Sequence, residues 1–245
     1  MGAFSLVRSR HELGQLVFYD SQYRHRWLDA IGPNVIKYID DMAAVLYDTA
    51  WESTVVEAGS GTSILLPYNT EGGIVKLAAA GNDNDGIQLQ SSNEGFKLTP
   101  NDPIYFGCRW AITGTTGFAS ADTVIGLCNK DTTLTGGSSS GVFFMTKDAA
   151  ATITFTASKA DSATSITIVT TGAVDTFYID EFYWDGTSTI YSWHNGVQGS
   201  SHVSQIASSQ TLAISMSYLN GAAHGGNVAG MLVDWVRCIQ LLSSR

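Results

Sequence analysis

The sequence contains few charged residues, and most of those present are acidic. Asp, Glu, Lys and Arg together make up 14% of the 245 residues, and the formal net charge is −9 at pH 7. Soluble proteins usually contain about 25% charged residues. Binding to a nucleic-acid backbone depends on clustered Lys and Arg, so this composition argues against nucleic acid as a partner. We expect largely neutral surfaces instead.

Cysteine and long apolar runs are also scarce. The three cysteines, Cys108, Cys128 and Cys238, are far apart and each lies in an apolar run. This favours buried free thiols over a disulfide framework or a metal site. No apolar run reaches the roughly 18 residues that a membrane span needs, and the first residues lack the apolar stretch of a signal peptide. We therefore expect no membrane partner and no secretion.

Metal ligands do not form a recognised motif. The loop GNDNDG brings Asp83 and Asp85 close together, which makes them weak candidates for calcium ligands. The loop lacks the spacing of an EF-hand, and an ordinary turn rich in Asn and Asp explains it better. The five histidines show no zinc-ligand spacing. We expect no metal site and no cofactor.

From about Trp51 onward, short β-type runs alternate with stretches rich in Gly, Asn, Asp, Ser and Thr. Roughly a dozen such runs, among them PIYFGCRWAIT and GVFFMTK, follow one another without a helical period between them. Parallel α/β architecture needs crossover helices, which this pattern lacks. Asp185-Gly186 and Asn195-Gly196 are typical of tight hairpin turns. The pattern predicts an all-β chain folded as an antiparallel β-sandwich of the jelly-roll type.

The first 50 residues differ from the rest of the chain. A break at Gly32-Pro33 is followed by residues that suit a short helix or, because NVIKYI alternates, a strand. We therefore divide the chain into an N-terminal arm, residues 1–50, partly extended or with a short helix, and a β-sandwich domain, residues 51–245. Five of the thirteen basic residues belong to the arm: Arg8, Arg10, Arg24, Arg26 and Lys37.

The last third of the chain concentrates aromatic residues. Trp184 and Trp193 are candidates for stacking on sugar rings, although their positions equally suit core packing. Asp180 and Glu181 are neighbours, so they point to opposite faces of a strand. A glycoside hydrolase needs two carboxylates on one face. We predict no catalytic residues and no enzyme activity.

The closing run GMLVDWVRCIQL sets one acid and one base among apolar residues. Strict alternation places Val233, Trp235 and Arg237 on one face of the strand and Asp234 on the other. Asp234 and Arg237 are therefore not expected to form a local ion pair. Each needs its own partner.

The segment TFYIDEFYWDGTSTIYSWHNGVQ, together with the closing Val-Asp-Trp-Val strand, resembles the concanavalin A-like or laminin G-like jelly roll. In that fold a strand ending in Asp-Gly precedes an Asn-Gly hairpin, and the chain closes on an apolar strand. The chain from about Trp51 is also similar to structural proteins of tailed bacteriophages, on the basis of its polar beginning and its middle rich in Gly, Thr and Ser.

This resemblance implies a virion structural protein, and most specifically a capsid decoration (cement) protein on the outer surface of a phage head. The implied partners are the major capsid protein and further copies of this chain, with a trimer as the first expectation. Assembly in the host cytoplasm agrees with free cysteines. The arginines of the arm would pair with acidic groups on the capsid shell. Its docking residues would be Arg8, Arg10, Arg24, Arg26 and Trp27.

Two alternatives belong to other functional classes. The first is a glycan-binding module of a tail fibre or host-recognition protein, with Trp184 or Trp193 as the stacking platform. The second is a sandwich glycosidase that uses Asp180 or Glu181.

Overall fold

The computed structural model describes residues 6–43, 49–57, 64–67, 73–114, 118–136, 140–203, 205–206, 208, 210–222 and 228–244. Across these ranges the chain is nearly all β, and every strand pair is antiparallel. The helical content of the same ranges is two short 3-10 turns, Phe118–Ser120 and Leu134–Gly136. None of the described helices is long and apolar enough to cross a membrane.

Nineteen strands lie within the described residues. In chain order they are β1 Val7–Glu12, β2 Gln15–Asp20, β3 Trp27–Ile31, β4 Val35–Asp40, β5 Trp51–Val56, β6 Ile64–Pro67, β7 Val75–Ala78, β8 Gly86–Ser91, β9 Phe96–Lys97, β10 Ile104–Thr113, β11 Ala121–Cys128, β12 Gly141–Lys147, β13 Ala150–Lys159, β14 Ser162–Val169, β15 Tyr178–Trp184, β16 Ile190–His194, β17 Val197–Gln198, β18 Thr211–Asn220 and β19 Gly230–Leu241.

Two eight-stranded sheets form the sandwich, and a third, smaller sheet is added to it. The front sheet has the order β17-β16-β15-β10-β19-β7-β6, with β4 also paired to β19. The back sheet has the order β14-β13-β12-β11-β18-β8-β5, with β9 paired to β18. Strands β1, β2 and β3 form the small sheet. Neighbours such as β10 and β19 are far apart in sequence, as is usual in a jelly roll.

The main core lies between the front and back sheets. Strand β10 contributes Phe106, Cys108 and Trp110 to it, and β12 and β13 contribute Phe144 and Phe155. All five of these residues have no solvent exposure. Because successive residues of a strand point to opposite faces, each of these strands gives alternate side chains to the core. This fixes which residues of the front sheet face outward.

The small sheet covers part of the outer face of the front sheet. A second apolar cluster lies between them, in which Val17 and Trp27 of the small sheet contact Tyr105, Trp193 and other front-sheet residues. All four of these side chains are buried. The prediction of an extended N-terminal arm is therefore wrong for the described part of residues 1–50, because its apolar side chains pack against the sandwich.

The boundary predicted at residue 51 also falls inside the folded body. Strand β4 pairs with β19 over Val35 to Asp40, and Trp51 Nε1 donates a hydrogen bond to Asp40 Oδ2 at 3.1 Å. The segment after Pro33 is thus a strand rather than a helix. The alternation in NVIKYI correctly indicated a strand. Pairing with β19, about 200 residues later, provides hydrogen-bond partners for its backbone N–H and C=O groups.

A buried ionic cluster joins the small sheet to the front sheet. Arg26 Nη1 lies 2.8 Å from Asp20 Oδ2, and its Nη2 lies 2.6 Å from Glu181 Oε2. Tyr105 donates its hydroxyl to Glu181 Oε1 at 2.5 Å. Burial raises the pKa of Glu181, while the Arg26 guanidinium opposes that rise. Arg26 is 2% exposed, so it cannot dock on another protein as predicted.

Candidate functional site

The other predicted docking residues differ in solvent exposure and in their contacts. Arg8 and Arg24 are exposed. Arg10 is paired with Glu12, and its guanidinium lies 5.0 Å from the centre of the Tyr19 ring. Trp27 has no solvent exposure and packs under the small sheet. Arg8 and Arg24 therefore remain available to a partner, whereas Trp27 does not.

The two tryptophans predicted as sugar platforms are buried. Trp184 is 2% exposed and belongs to the core between the two large sheets. Trp193 is 1% exposed and lies in the cluster beneath the small sheet. Neither ring offers a face to a ligand, so the prediction of Trp184 or Trp193 as the platform is wrong. Core packing, the alternative explanation, accounts for both.

The loop predicted as a weak calcium site is an Asn/Asp turn. Asp85 has no solvent exposure, and its Oδ2 accepts hydrogen bonds from Asn82 N at 2.9 Å and Asn82 Nδ2 at 2.8 Å. Asp83 is exposed. Within the described residues no group of three or more His, Cys, Asp or Glu side chains is placed to hold a metal ion. His224 lies outside the described residues.

Asp180 and Glu181 point to opposite faces of the front sheet. Asp180 faces the interior, where its Oδ2 accepts a hydrogen bond from Trp110 Nε1 at 2.7 Å and its Oδ1 lies 2.7 Å from His194 Nδ1. Glu181 faces the buried ionic cluster. Both side chains have no solvent exposure. These two carboxylates do not flank a common space, as the pair in a glycoside hydrolase must.

A cleft of about 340 Å³ lies at one lateral edge of the sandwich, next to the Asp180–His194 pair. Strand β14 of the back sheet contributes Ile166 and Ile168 to its wall, and β16 contributes Ser192 and His194. His194 Nε2 lies 3.0 Å from Asn195 Nδ2. Both ring nitrogens of His194 therefore have partners, and the imidazole holds the buried Asp180 in place.

His202 is a buried imidazole that also contacts β14, and it predicts a pH effect. It is 4% exposed, with Nε2 3.0 Å from Phe155 O and Nδ1 3.2 Å from Thr164 Oγ1. Burial lowers its pKa below the ordinary value of 6.5. The unfolded chain therefore takes up the proton first as pH falls, so His202 contributes stability above about pH 6.5 that is lost below it.

A His202→Gln variant should lose less unfolding free energy than the parent between about pH 7.5 and 5.5. Urea unfolding at both pH values measures the difference. His11→Gln is the matched control because His11 is exposed. Equal pH slopes for the parent and His202→Gln would show that His202 does not carry the effect.

The remaining surface of interest is created by an irregularity in β19. On β10, Arg109 pairs with Trp235, and the next residue, Trp110, pairs with Val233. Asp234 is therefore an extra residue in β19, as in a β-bulge, where two residues of one strand oppose one of its neighbour. Val233 and Val236 both face the core. Asp234 and Trp235 consequently share the outer face, contrary to strict alternation.

Five side chains surround this irregularity on the outer face, and we call them the bulge patch: Arg109, Phe177, Asp234, Trp235 and Arg237. Arg109 forms an ion pair with Asp234 and lies over the Phe177 ring, 4.0 Å from its centre. Arg237 lies over the Trp235 ring, 5.4 Å from its centre. All five residues are partly exposed. The patch combines aromatic faces with guanidinium and carboxylate groups.

Trp235 differs from every other tryptophan of the chain. Trp27, Trp51, Trp110, Trp184 and Trp193 are at most 2% exposed, whereas Trp235 is half-buried. Period-two counting fails to identify it, because the inserted Asp234 changes the face on which Trp235 lies. The available signal was the unusual Asp-Trp pair within an otherwise apolar strand.

Comparisons with known proteins find similarity in three dimensions only. No protein-family model matches the chain, and neither does any curated protein. The carbohydrate recognition domain of Emp47p matches with a TM-score of 0.60 at 11% identity, over 84% of this chain and 95% of that one. An endo-1,3-β-glucanase from Streptomyces sioyaensis matches with a TM-score of 0.59 at 12% identity, over 87% and 99%.

A protein of unknown function from Shewanella oneidensis MR-1 is also similar, with a TM-score of 0.58 at 14% identity, over 88% of this chain and 90% of that one. Identities this low show the fold alone. The chain has a concanavalin A-like, lectin-type jelly roll, which confirms the predicted fold class.

Proposed function

We propose that this chain is a carbohydrate-binding protein whose ligand stacks on Trp235 in the bulge patch. The observation that carries the proposal is the partial exposure of Trp235 beside Arg109, Asp234 and Arg237, while the other five tryptophans are buried. A sugar ring presents an apolar C–H face and a rim of hydroxyl groups. An aromatic face with polar groups at its border complements both features.

The comparisons support the proposal only through the fold. Similar structures include a carbohydrate recognition domain and glucanases, so this jelly roll is one on which saccharide sites occur. A fold does not establish a function, which has to be argued from the site. The bulge patch supplies that argument, because it joins a partly exposed indole ring to guanidinium and carboxylate groups.

The arrangement favours binding without hydrolysis. Hydrolysis of a glycosidic bond requires two carboxyl groups roughly 5–9.5 Å apart on either side of the bond. The bulge patch has a single carboxylate, Asp234, which is paired with Arg109. Asp180 and Glu181 are buried on opposite faces of β15. We therefore propose a binding protein rather than a glycosidase.

A Trp235→Ala variant should weaken glycan binding by at least about tenfold, since truncation of a central aromatic contact commonly costs 2 kcal/mol or more. The parent is first screened on a glycan array, and the best ligand is then titrated by calorimetry. Near-ultraviolet circular dichroism checks that the variant is folded.

Tyr191→Ala is the matched control for this experiment. Tyr191 is half-buried on the outer face of the same sheet, near the small sheet and away from the bulge patch, and its ring lies 5.3 Å from that of His25. Binding should survive this substitution. Loss of binding in Tyr191→Ala with full binding in Trp235→Ala, or no array ligand at all, would refute the proposal.

Capsid decoration, the trimer and the virion surface location stay predictions. Of the five docking residues predicted for that role, Arg8 and Arg24 are the exposed ones. A docking experiment should therefore begin with these two arginines.

A further inference from the structure

Arg237 is the arginine of the bulge patch without an ion-pair partner among the described residues. Its Nε and Nη1 atoms are buried and make no hydrogen bond with any residue that the structure describes. Buried donors of this kind are uncommon in proteins and call for an explanation. The side chain as a whole is partly exposed, and it shares the outer face with Trp235. A ligand on the Trp235 ring can therefore contact it.

The carboxylates near Arg237 are engaged elsewhere. Asp234 is paired with Arg109. Glu181 accepts one hydrogen bond from Tyr105 and another from Arg26 Nε at 2.8 Å. Arg237 influences Glu181 only through space, where its charge favours the ionised carboxylate. No described protein group thus pairs with the Arg237 guanidinium, and a ligand can reach it only through its exposed part.

The local charges do not oppose an anionic ligand. Within the bulge patch the Arg109–Asp234 pair is neutral, and Arg237 adds a positive charge. The buried carboxylates of Asp20 and Glu181 are bonded to Arg26. The patch itself is thus not acidic although the whole chain is. Because ionic strength near physiological values screens charges beyond about 8 Å, contacts at the patch outweigh repulsion from distant acids.

We propose that the ligand is an acidic saccharide, with its ring on Trp235 and its carboxylate on the guanidinium of Arg237. This inference rests on the proposed carbohydrate binding and adds the class of sugar. A guanidinium donates charge-assisted hydrogen bonds to a carboxylate, and these are stronger than hydrogen bonds between neutral groups. The same guanidinium already lies over the indole ring, 5.4 Å from its centre. A uronic or sialic acid therefore places its two recognition elements on adjacent protein groups.

The test compares acidic oligosaccharides with their neutral forms. Oligosaccharides of galacturonate, of mannuronate and guluronate, and of sialic acid are each titrated beside the carboxyl-reduced counterpart. At least one acidic form should bind about tenfold tighter than its reduced counterpart, as expected for one charged hydrogen-bonded contact. Arg237→Gln should abolish this preference, because it weakens binding of the acidic form more than binding of the reduced one. Arg237→Lys should retain a part of it.

Arg24→Gln is the matched control, since it removes the same charge from an exposed site outside the patch. The preference should persist in this variant. Equal affinity for acidic and reduced forms in the parent would overturn the acidic-ligand inference and leave carbohydrate binding intact. The same inference fails if Arg237→Gln keeps the preference. Absence of binding to every saccharide, acidic or neutral, would instead overturn the proposed function itself.

Discussion

An Arg26→Leu variant is expected to lose about 3–5 kcal/mol of unfolding free energy, because one guanidinium compensates two buried carboxylates. Arg26 Nη1 lies 2.8 Å from Asp20 Oδ2, and its Nη2 lies 2.6 Å from Glu181 Oε2, with all three side chains at most 2% exposed. Leucine would remove the cation that is bonded to both buried carboxylates. Urea unfolding at pH 7 measures the loss.

The penalty should become smaller as pH falls. Burial already raises the pKa of Glu181, and Arg26 opposes that rise. Without Arg26 the pKa of Glu181 in the folded state moves further above its value in the unfolded chain. The folded variant then takes up a proton before the unfolded chain does, so its stability increases as pH falls from 7 toward about 4.5. Protonation removes the buried charge that leucine leaves uncompensated.

Arg24→Leu provides the matched control, since Arg24 is exposed and only two residues away. Its unfolding free energy should stay within about 0.5 kcal/mol of the parent. If Arg26→Leu behaved like Arg24→Leu, the ionic cluster would not hold the small sheet on the sandwich.

The parts of the fold that the sequence predicted are those specified by neighbouring residues. The Asn195-Gly196 turn is an example, with φ values of 49° and 81° that suit a two-residue hairpin between β16 and β17. Asp185-Gly186 instead begins a longer connection, in which Asp185 Oδ1 accepts backbone hydrogen bonds from three following residues. Both turns follow from local chemistry.

The first 50 residues were misassigned because their partners are distant in sequence. Arg26 is buried only because Glu181, 155 residues later, accepts its Nε–H. Strand β4 likewise requires β19 as its partner. Strand β2 of the small sheet alternates buried and partly exposed residues from Gln15 to Val17, but its sequence QLVFYD does not alternate apolar and polar residues. The sequence pattern therefore does not reveal this strand, and periodicity does not say which face a distant element will cover.

The candidate site was missed for a different reason. Counting alternate residues assigns Trp184 and Trp193 each to a face of the front sheet. Trp184 faces the core between the two large sheets, and Trp193 lies on the outer face beneath the small sheet. Trp235 reached the surface through the extra residue Asp234. A bulge changes the side-chain parity of a strand, and sequence alternation alone cannot locate it. The proposed binding surface thus depends on a position where regular counting fails.

Deletion of residues 1–40, the greater part of the predicted arm, should prevent the rest of the chain from folding. The deletion removes β1 to β4, including the buried side chains Val17, Trp27 and Arg26. It uncovers the apolar front-sheet side chains that pack beneath the small sheet: Tyr105, Tyr183, Trp193, Ile239 and Leu241. Loss of a single buried tryptophan typically costs about 3–5 kcal/mol, against a total stability of about 5–15 kcal/mol.

The shortened chain should therefore appear in the insoluble fraction on expression or, if recovered, lack near-ultraviolet circular dichroism and a cooperative urea transition. A double variant, Arg8→Ala with Arg24→Ala, is the control, because it removes exposed charges from the same region and should unfold like the parent. A cooperative, native-like transition in the shortened chain would restore the view of residues 1–40 as a separate arm. Any docking role of this region is thus better tested with the double variant than by truncation, since truncation also removes one layer of the fold.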